Sequence, residues 1–144
     1  MIRLFVPEDT ESVMDIWFSA SLLAHDFIPA SYWKEQSGVV RDQYLPLSVT
    51  YVFVEEDRVC GFLSILNGST IGALFVAPDC QGRGIGSALL GHVQEAAEVL
   101  TLCVYVENFA ARMFYEKRGF VLLSRRETET GHDEYVMRWV AESC

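Results

Sequence analysis

Apolar and polar positions repeat along the first third of the chain with the periods of one strand and two helices. Ile2 to Val6 alternates around Arg3 and predicts the first strand. A helix that begins near Pro7 is predicted by four apolar residues at helical spacing: Val13, Ile16, Trp17 and Ala20. A second helical stretch is predicted from Ala30 to about Tyr44, where Pro46 closes it.

Three consecutive strands are predicted in the middle of the chain, over residues 49–54, 59–66 and 70–76. Residues 55–57 form the first turn, and Asn67-Gly68 is a strong signal for a hairpin turn between the second and third strands. Because strands joined by such short turns pair with opposite directions, we expect an antiparallel meander here.

The second half of the chain alternates helices with strands. One apolar face predicts a helix after a glycine-rich loop, carried by Ile85, Leu89, Val93, Ala96, Ala97 and Leu100. Residues 101–106 form a continuous apolar strand, which predicts burial on both faces. A short helix over 110–118 ends at Gly119, and two strands over 121–124 and 135–140 flank a polar loop.

This order of elements predicts the fold class. Runs of adjacent strands imply antiparallel pairing, and the strand–helix–strand segment over 70–106 allows one parallel pair. We therefore expect an α+β fold with a mixed, mostly antiparallel sheet and helices on both faces. No repeat or linker interrupts it, so residues 1–144 are expected to form one domain.

Composition narrows the class of protein. The formal net charge of −9 argues against a nucleic-acid partner and favours cationic ones, although solubility alone also explains it. No apolar run approaches the ~20 residues that span a bilayer, and the N-terminus is too short and too soon broken for a signal peptide. We expect a cytoplasmic protein without a membrane partner.

The four cysteines do not form a metal-binding pattern. Cys60, Cys80, Cys103 and Cys144 contain no CxxC pair and have no zinc-like spacing to the three histidines. We expect free thiols and no metal, with Cys60 and Cys103 as small buried side chains.

The glycine-rich segment Gln81–Ser87 follows a strand and opens a helix. Glycines let the backbone approach a ligand, and the N–H groups of a first helical turn bind anions such as a pyrophosphate. A tight turn without a ligand is the simpler reading. No lysine completes a Walker loop, and Gly86 comes one position early for a dinucleotide fingerprint, although Glu107 lies where a ribose-binding acid would follow.

Two motifs resemble the GNAT superfamily of acetyltransferases. The segment 74–90 is similar to the family signature, with Gln81, Gly84 and Gly86 at its [QR]xxGx[GA] positions. The second motif is Asn108, at a strand end, followed by a helix that finishes Phe114-Tyr115-Glu116-Lys117-Arg118-Gly119-Phe120. The predicted order of elements also fits this family, so the resemblance covers nearly the whole chain. It implies the acyl-CoA N-acyltransferase fold.

The resemblance implies a donor site for acetyl-CoA. The backbone of Leu74, Phe75 and Val76 would hold the acetyl-pantetheine arm, and the Val76 amide would stabilise the oxyanion. The pyrophosphate would meet the amides of Gln81, Gly82, Arg83, Gly84, Ile85, Gly86 and Ser87. The Arg83 side chain either contacts the cofactor or faces solvent.

Two further residues acquire roles from the resemblance. Asn108 would contact the cofactor arm, and it is also suited to cap a helix. Tyr115 lies seven residues later, on the same helical face, and would protonate the departing thiolate. Without the resemblance, Tyr115 is simply a core aromatic residue beside Phe114 and Phe120.

One position departs from the family pattern. Several relatives carry a glutamate base five residues before the asparagine, and Cys103 stands there instead. The candidate bases are His25, Glu55, Glu56 and Glu107, or a water chain. We expect His25 near the amine, relaying a proton and titrating around ~6–7.

The segment 23–29 resembles one found in small enterobacterial-type acetyltransferases of unassigned or protein-lysine substrate. In that fold it lines the acceptor side, so Phe27, Tyr32 and Trp33 would wall the acceptor pocket; ordinary packing between two helices is the alternative.

The implied function is direct transfer of an acetyl group from acetyl-CoA to a primary amine, without a metal. A non-catalytic acetyl-CoA sensor is the alternative, and Tyr115 favours the enzyme. Protein lysine, a protein N-terminus, a polyamine, an aminoglycoside and small amino compounds all remain open as acceptors, and so does the oligomeric state.

Overall fold

Seven strands form one mixed sheet in the order β1-β2-β3-β4-β5-β7-β6 in the computed structural model, which describes residues 1–142. The strands are β1 (Ile2–Leu4), β2 (Val49–Glu55), β3 (Arg58–Leu66), β4 (Thr70–Val76), β5 (Val99–Tyr105), β6 (Val121–Arg126) and β7 (Glu134–Val140). The helices are α1 (Thr10–Ala24), α2 (Ala30–Val39), α3 (Leu45–Leu47), α4 (Ile85–Gln94) and α5 (Phe109–Lys117). Cys144 and its expected free thiol lie outside the described residues.

Short 3₁₀ turns precede α1 and α4, and a π-helical turn over Val40–Tyr44 joins α2 to α3. All strand pairs are antiparallel except β4 with β5. The predicted α+β class is therefore confirmed. Both predicted meander turns have paired left-handed residues, and Asn67 and Gly68 have φ values of 54° and 78°, as a type I′ hairpin requires.

Strand β3 is the centre of the fold because helices cover both of its faces. Seven consecutive residues, Val59 to Ile65, are buried. A Cβ at Gly61 would lie 3.0 Å from Ile85 of α4, whereas Phe62 borders a cavity shared with Trp17 of α1. Since neighbouring residues of a strand point to opposite faces, α4 and α1 lie on opposite sides of the sheet.

The parallel pair β4–β5 is short, and this opens the sheet. Its register contains only Thr70 with Thr101 and Ile71 with Leu102. On the other edge of β4, Ser64 and Ile65 face Ala73 and Ile71, so that Gly72 is an extra, bulged residue. The pairing of β4 with β5 stops at this bulge, and the two strands are unpaired beyond it.

Helix α4 is shorter than its apolar spacing predicted. It ends at Gln94, and Leu100, which was assigned to its apolar face, is instead the second residue of β5. Leu100 is 1% exposed there. The prediction was wrong because an apolar residue in a following buried strand can match helical spacing by coincidence.

Burial of β5 also differs from the prediction. Leu100, Leu102 and Val104 are buried, whereas Cys103 on the other face is exposed. The continuous apolar run therefore has one buried face, because its second face borders the opening beside β4. The predicted burial of Cys103 is wrong and that of Cys60 is confirmed; both, with Cys80, are free thiols.

Candidate active site

The opening between β4 and β5 turns backbone groups of β4 toward a cavity. Ala77 N–H donates to the Cys60 carbonyl over 2.8 Å, so the adjacent pair Gly61–Val76 is a non-hydrogen-bonded one. In the same register, Leu74 is also in a non-hydrogen-bonded pair. The N–H groups of Leu74 and Val76 therefore point away from β3, toward the opening.

The glycine loop leads into the N-terminus of α4. Gly84 is the N-cap residue, with φ of 82°, and no side chain caps the helix. The first intrahelical bond runs from Ala88 N–H to the Gly84 carbonyl, which leaves the amides of residues 85–87 to point out of the helix end. They border a cavity of about 260 Å³, here called the loop pocket, whose wall includes Gln81, Gly82 and Phe114.

Side chains fix this loop from both ends. Gln81 Nε2 donates to the Val76 carbonyl over 3.1 Å, which ties the loop to the end of β4. Arg83 pairs with Glu55 at the β2–β3 turn and is about half exposed. From the sequence, Arg83 was expected either to contact the cofactor or to face solvent. In the structure its guanidinium pairs with Glu55, one of the four candidate bases.

A second arginine, which the sequence did not single out, contacts two residues that line the loop pocket. The guanidinium of Arg118 stacks on the Phe114 ring at 3.9 Å from its centroid and donates to the Ser87 hydroxyl. It thus brings a positive charge to the first turn of α4, where the helix dipole also favours an anion. The sequence did not reveal this contact, because Arg118 follows α5 and lies 31 residues after Ser87 in the chain.

Two further cavities continue from the loop pocket along β4. The first, the arm channel, has a volume of about 250 Å³ and shares Val76, Gln81, Gly86 and Phe114 with the loop pocket. The second, the cleft, lies in the opening between β4 and β5 with a volume of about 230 Å³ and shares Leu74, Phe75, Asn108 and Tyr115 with the arm channel. The three cavities form one track.

Tyr115 borders both the arm channel and the cleft from the α4 side of the sheet. It is 8% exposed and makes edge-to-face contacts with Phe114 and Phe120. Burial raises the pKa of its phenol, because a buried phenolate would lack solvation. Tyr115 is thus protonated at neutral pH, as the expected proton donor must be, and it is also a core aromatic side chain.

Asn108 serves two partners at the N-terminus of α5. Its Oδ1 accepts from Ala111 N–H over 3.2 Å, which caps the helix as the sequence allowed. Its Nδ2 lies 3.1 Å from Nε2 of His25. Because the cap fixes which end of the amide is oxygen, Nδ2 is the donor, and one of its two hydrogens remains to face the cleft.

His25 ends α1 and is buried against Trp33, Phe27 and Tyr105, with ring centroids 5.1–5.8 Å away. Burial lowers its pKa to about 4. The expected titration near 6–7 is therefore wrong for this environment, and His25 is neutral over the physiological range. It borders the cleft through its contact with Asn108.

The other base candidates do not border the cleft. Glu55 pairs with Arg83, and Glu107 pairs with His132 over 2.5 Å. Glu56 occupies a left-handed position in the β2–β3 turn, with φ of 51°. Among the described residues that line the cleft, the one carboxylate is instead Glu134 of β7, which the sequence analysis missed.

A fourth cavity, the aromatic pocket, adjoins the cleft on the α1 side. Its volume is about 350 Å³, and it shares Trp17, Trp33, Gly72 and Ala73 with the cleft. Tyr32 and Glu129 border it, and the Tyr32 hydroxyl donates to Glu129 Oε1 over 2.9 Å. This bond joins α2 to the β6–β7 loop. Of the three expected wall residues, Tyr32 and Trp33 line the pocket, and Phe27 lies beside His25.

Residues 1–142 contain neither a cluster of metal-binding side chains nor a membrane-spanning helix. No group of three or more His, Cys, Asp or Glu side chains is placed to hold a metal ion. Nor does this part of the chain contain a helix with the length and hydropathy required to cross a membrane.

Comparisons with known proteins agree with this geometry. A sequence model of the acetyltransferase (GNAT) domain matches residues 46–122. The chain is 35% identical to the peptidyl-lysine N-acetyltransferase YiaC of Escherichia coli K12, over 96% of each chain. It is 37% identical to the peptidyl-lysine N-acetyltransferase YjaB of the same strain, over 89% of this chain and 86% of that protein.

The solution structure of apo YjaB from Escherichia coli superimposes with a TM-score of 0.84 at 32% identity, covering 99% of this chain and 98% of that one. The motifs, the open sheet and these relatives agree: the chain belongs to the GNAT family of acetyltransferases and is an N-acetyltransferase.

Proposed function

We propose that residues 1–144 act as one catalytic domain that transfers an acetyl group from acetyl-CoA to the side-chain amine of lysine in proteins. The observation that carries the proposal is the track of cavities along β4, which joins an anion-binding helix end to a cleft bordered by Tyr115. Two relatives of 35% and 37% identity that are named peptidyl-lysine N-acetyltransferases support the acceptor class.

The residues of the track fit the parts of acetyl-CoA. The amides of residues 85–87, with the Arg118 guanidinium, suit the pyrophosphate, because an uncapped helix end and a cation both favour an anion. The arm channel suits the pantetheine, whose amide groups match the outward backbone groups of Leu74 and Val76. Asn108 offers one more N–H at the point where the channel meets the cleft.

The chemistry needs three actions at the cleft. A neutral amine attacks the thioester carbonyl carbon, and the N–H of Val76, which borders the adjoining arm channel, donates to the oxygen on which negative charge develops. The carbon–sulfur bond then breaks, and the Tyr115 hydroxyl donates its proton to the departing thiolate. A free thiol has a pKa near ~8.5, so a protonated phenol in hydrogen-bond reach assists its departure.

The aromatic pocket supports an unbranched alkyl amine as acceptor. Its wall of Trp17, Tyr32 and Trp33 suits methylene groups, and Glu129 at its border attracts a positive charge. Because this pocket adjoins the cleft from the α1 side, an amine that enters through it reaches the thioester opposite the thiol end.

The test is thiol release from acetyl-CoA with a panel of amines. The panel contains a lysine peptide with a blocked N-terminus, the same peptide with arginine for lysine, a peptide with a free N-terminus only, and a polyamine. Release with the blocked lysine peptide alone is the expected result. Acetyl-CoA binding without release by any amine would instead support a non-catalytic sensor.

A further inference from the structure

The carboxylate Glu134 occupies a position in the cleft that the known motifs do not assign. It is the first residue of β7, and its side chain is 15% exposed. In the register of β5 with β7, Glu134 faces Tyr105, and Val136 faces Cys103. Glu134 and Cys103 are therefore diagonal neighbours on one face of the sheet, at a Cβ separation of about 7 Å in such pairs.

The Glu134 carboxylate affects the pKa of the Cys103 thiol. Desolvation by the surrounding protein, and then the Glu134 carboxylate, raise the pKa of Cys103, which makes the thiol a still poorer proton acceptor at neutral pH. Where related enzymes carry a glutamate on β5, this chain thus has a thiol of raised pKa, with a carboxylate beside it on the next strand.

Glu134 and Tyr115 reach the cleft from opposite faces of the sheet. The face of Glu134 is that of Tyr105, whose ring meets His25 and Phe27 at the end of α1. Tyr115 lies on α5, which packs beside α4, since a Cβ at Gly86 would lie 3.6 Å from the Phe114 ring. A proton acceptor on the acceptor side and a proton donor on the thiol side is the arrangement that acyl transfer to an ammonium requires.

We infer that Glu134 is the proton acceptor for the attacking amine, and that it takes the place of the glutamate replaced by Cys103. The inference rests on the proposed function. The acceptor arrives as an ammonium, R–NH₃⁺, and gives one proton to Glu134. The nitrogen lone pair then forms the new bond to the carbonyl carbon, and the carbon–sulfur bond breaks with its electrons on sulfur.

The remaining protons balance as follows. Tyr115 gives its proton to the thiolate, and the second proton lost from nitrogen restores the phenol. Glu134 releases the first proton to solvent. The sum is R–NH₃⁺ plus acetyl-CoA to R–NH–acetyl, CoA thiol and one free proton, with no metal and no redox partner involved.

The surroundings of Glu134 permit this role. Arg126 Nε bonds Oε1 over 2.5 Å, and within residues 1–142 no hydrogen bond is made by Oε2, which leaves that oxygen for the amine. The other titratable groups around the cleft are the thiol, two phenols and a neutral imidazole: Cys103, Tyr105, Tyr115 and His25. Glu129, in the β6–β7 loop, contributes through its charge to raising the pKa of Tyr105. It borders the aromatic pocket rather than the cleft.

The test compares wild type with Glu134→Gln and with the double variant Glu134→Gln/Cys103→Glu. Glu127→Gln, an exposed carboxylate of the β6–β7 loop outside the cleft, is the matched control. Thiol release is measured at saturating acetyl-CoA with the blocked lysine peptide, from pH 6.5 to about 10, near the ordinary lysine pKa of ~10.4. Thermal midpoints show whether each variant is folded.

We expect Glu134→Gln to lower kcat/KM for the peptide about 10²-fold at neutral pH, the lower range for general acid–base catalysis, with KM for acetyl-CoA unchanged. The loss should shrink as pH rises, because the solution then supplies neutral amine. Cys103→Glu should restore activity at neutral pH in the double variant, because it returns a carboxylate to the same face.

Four results would overturn the inference. A loss of equal size at every pH would mean that Glu134 only shapes the cleft, and no loss would remove it from the reaction. A double variant as slow as Glu134→Gln would show that the missing carboxylate is not the cause. Wild type that releases no thiol with any amine would overturn the proposed function as well, which separates the two failures.

Discussion

The side-chain nitrogen of Asn108 donates to Nε2 of His25 over 3.1 Å, and this contact fixes the tautomer of the imidazole. Since Nε2 accepts, the proton of the neutral ring is on Nδ1, and within residues 1–142 that atom is buried without a hydrogen-bond partner. We therefore propose that His25 acts through Asn108, whose amide it orients, as a positioning residue rather than as a proton relay.

The lowered pKa of His25 predicts how stability depends on pH. The ring has a pKa of about 4 in the folded protein and near ~6.5 when unfolded, so between these values only the unfolded chain binds the proton. The free energy of unfolding should therefore fall by about 3 kcal/mol as pH drops from 7 to 4. Urea denaturation of wild type and His25→Phe measures this.

The variant should have a flatter stability profile across that range, because it has lost the group that titrates. A wild-type profile that is flat between pH 7 and 4 would contradict the buried neutral ring. In the same proteins, kcat/KM of wild type should have no acid limb from His25 near pH 6.5, unlike the expectation from the sequence.

Tyr115→Phe tests the proton donor. The phenol is buried and protonated, so its removal should leave the packing with Phe114 and Phe120 in place and take away only the hydroxyl. We expect kcat to fall by ~10²–10⁴-fold, with a much smaller change in KM for acetyl-CoA. Steady-state rates at varied acetyl-CoA decide it, and a variant with nearly full kcat would leave Tyr115 a packing residue.

Gly84→Val tests the loop pocket. Gly84 has a φ of 82°, which costs an L-residue about 1–2 kcal/mol and is worse for a β-branched one. Moving this residue would displace the amides of residues 85–87, so the Kd for acetyl-CoA should rise roughly tenfold or more. Calorimetric titration measures it. Gly91→Ala, in the same helix with open space around its Cβ, should bind normally; equal affinity of the folded Gly84 variant would refute the loop assignment.

Arg118→Gln should raise KM for acetyl-CoA with little change in kcat, because its charge lies at the first turn of α4 and away from the cleft. The interaction of one such positive charge with a phosphate at a helix end contributes about 1–2 kcal/mol to binding, which is roughly tenfold in affinity. Measuring KM in rising salt separates charge from packing, since the difference between wild type and variant should shrink as ions screen it. A constant difference would mean that Arg118 acts by packing on Phe114.

Much of the fold and of the candidate donor site could be predicted from the local sequence. Gly84 is predictable because glycine is favoured at a left-handed turn before a helix, and Asn108 because a side-chain cap involves residues three apart. Glu134 and Arg118 were missed because their partners are 31 residues away along the chain or across a register of strands. The faces of β5 were misjudged for a related reason: a gap in the sheet is set by the bulge at Gly72, in a different strand.

The carboxylate of Glu129 should attract the positively charged amine acceptor. The chain carries a net charge of −9, and Glu129 stands at the border of the aromatic pocket. Its hydrogen bond from Tyr32 lowers the pKa of Glu129, so the carboxylate is ionised at neutral pH. Because a lysine ammonium is attracted to this charge, Glu129→Gln should lower kcat/KM for the blocked lysine peptide several-fold and leave KM for acetyl-CoA unchanged.

Salt and a second variant distinguish attraction from shape. Added salt should lower wild-type kcat/KM, since screening beyond about 8 Å at physiological ionic strength weakens the long-range field, and it should affect Glu129→Gln less. Tyr32→Phe removes the hydrogen bond but retains the carboxylate, so its salt dependence should match that of wild type. If Tyr32→Phe loses as much activity as Glu129→Gln and neither responds to salt differently from wild type, the contact closes the pocket by shape, and the charge at Glu129 does not select the acceptor.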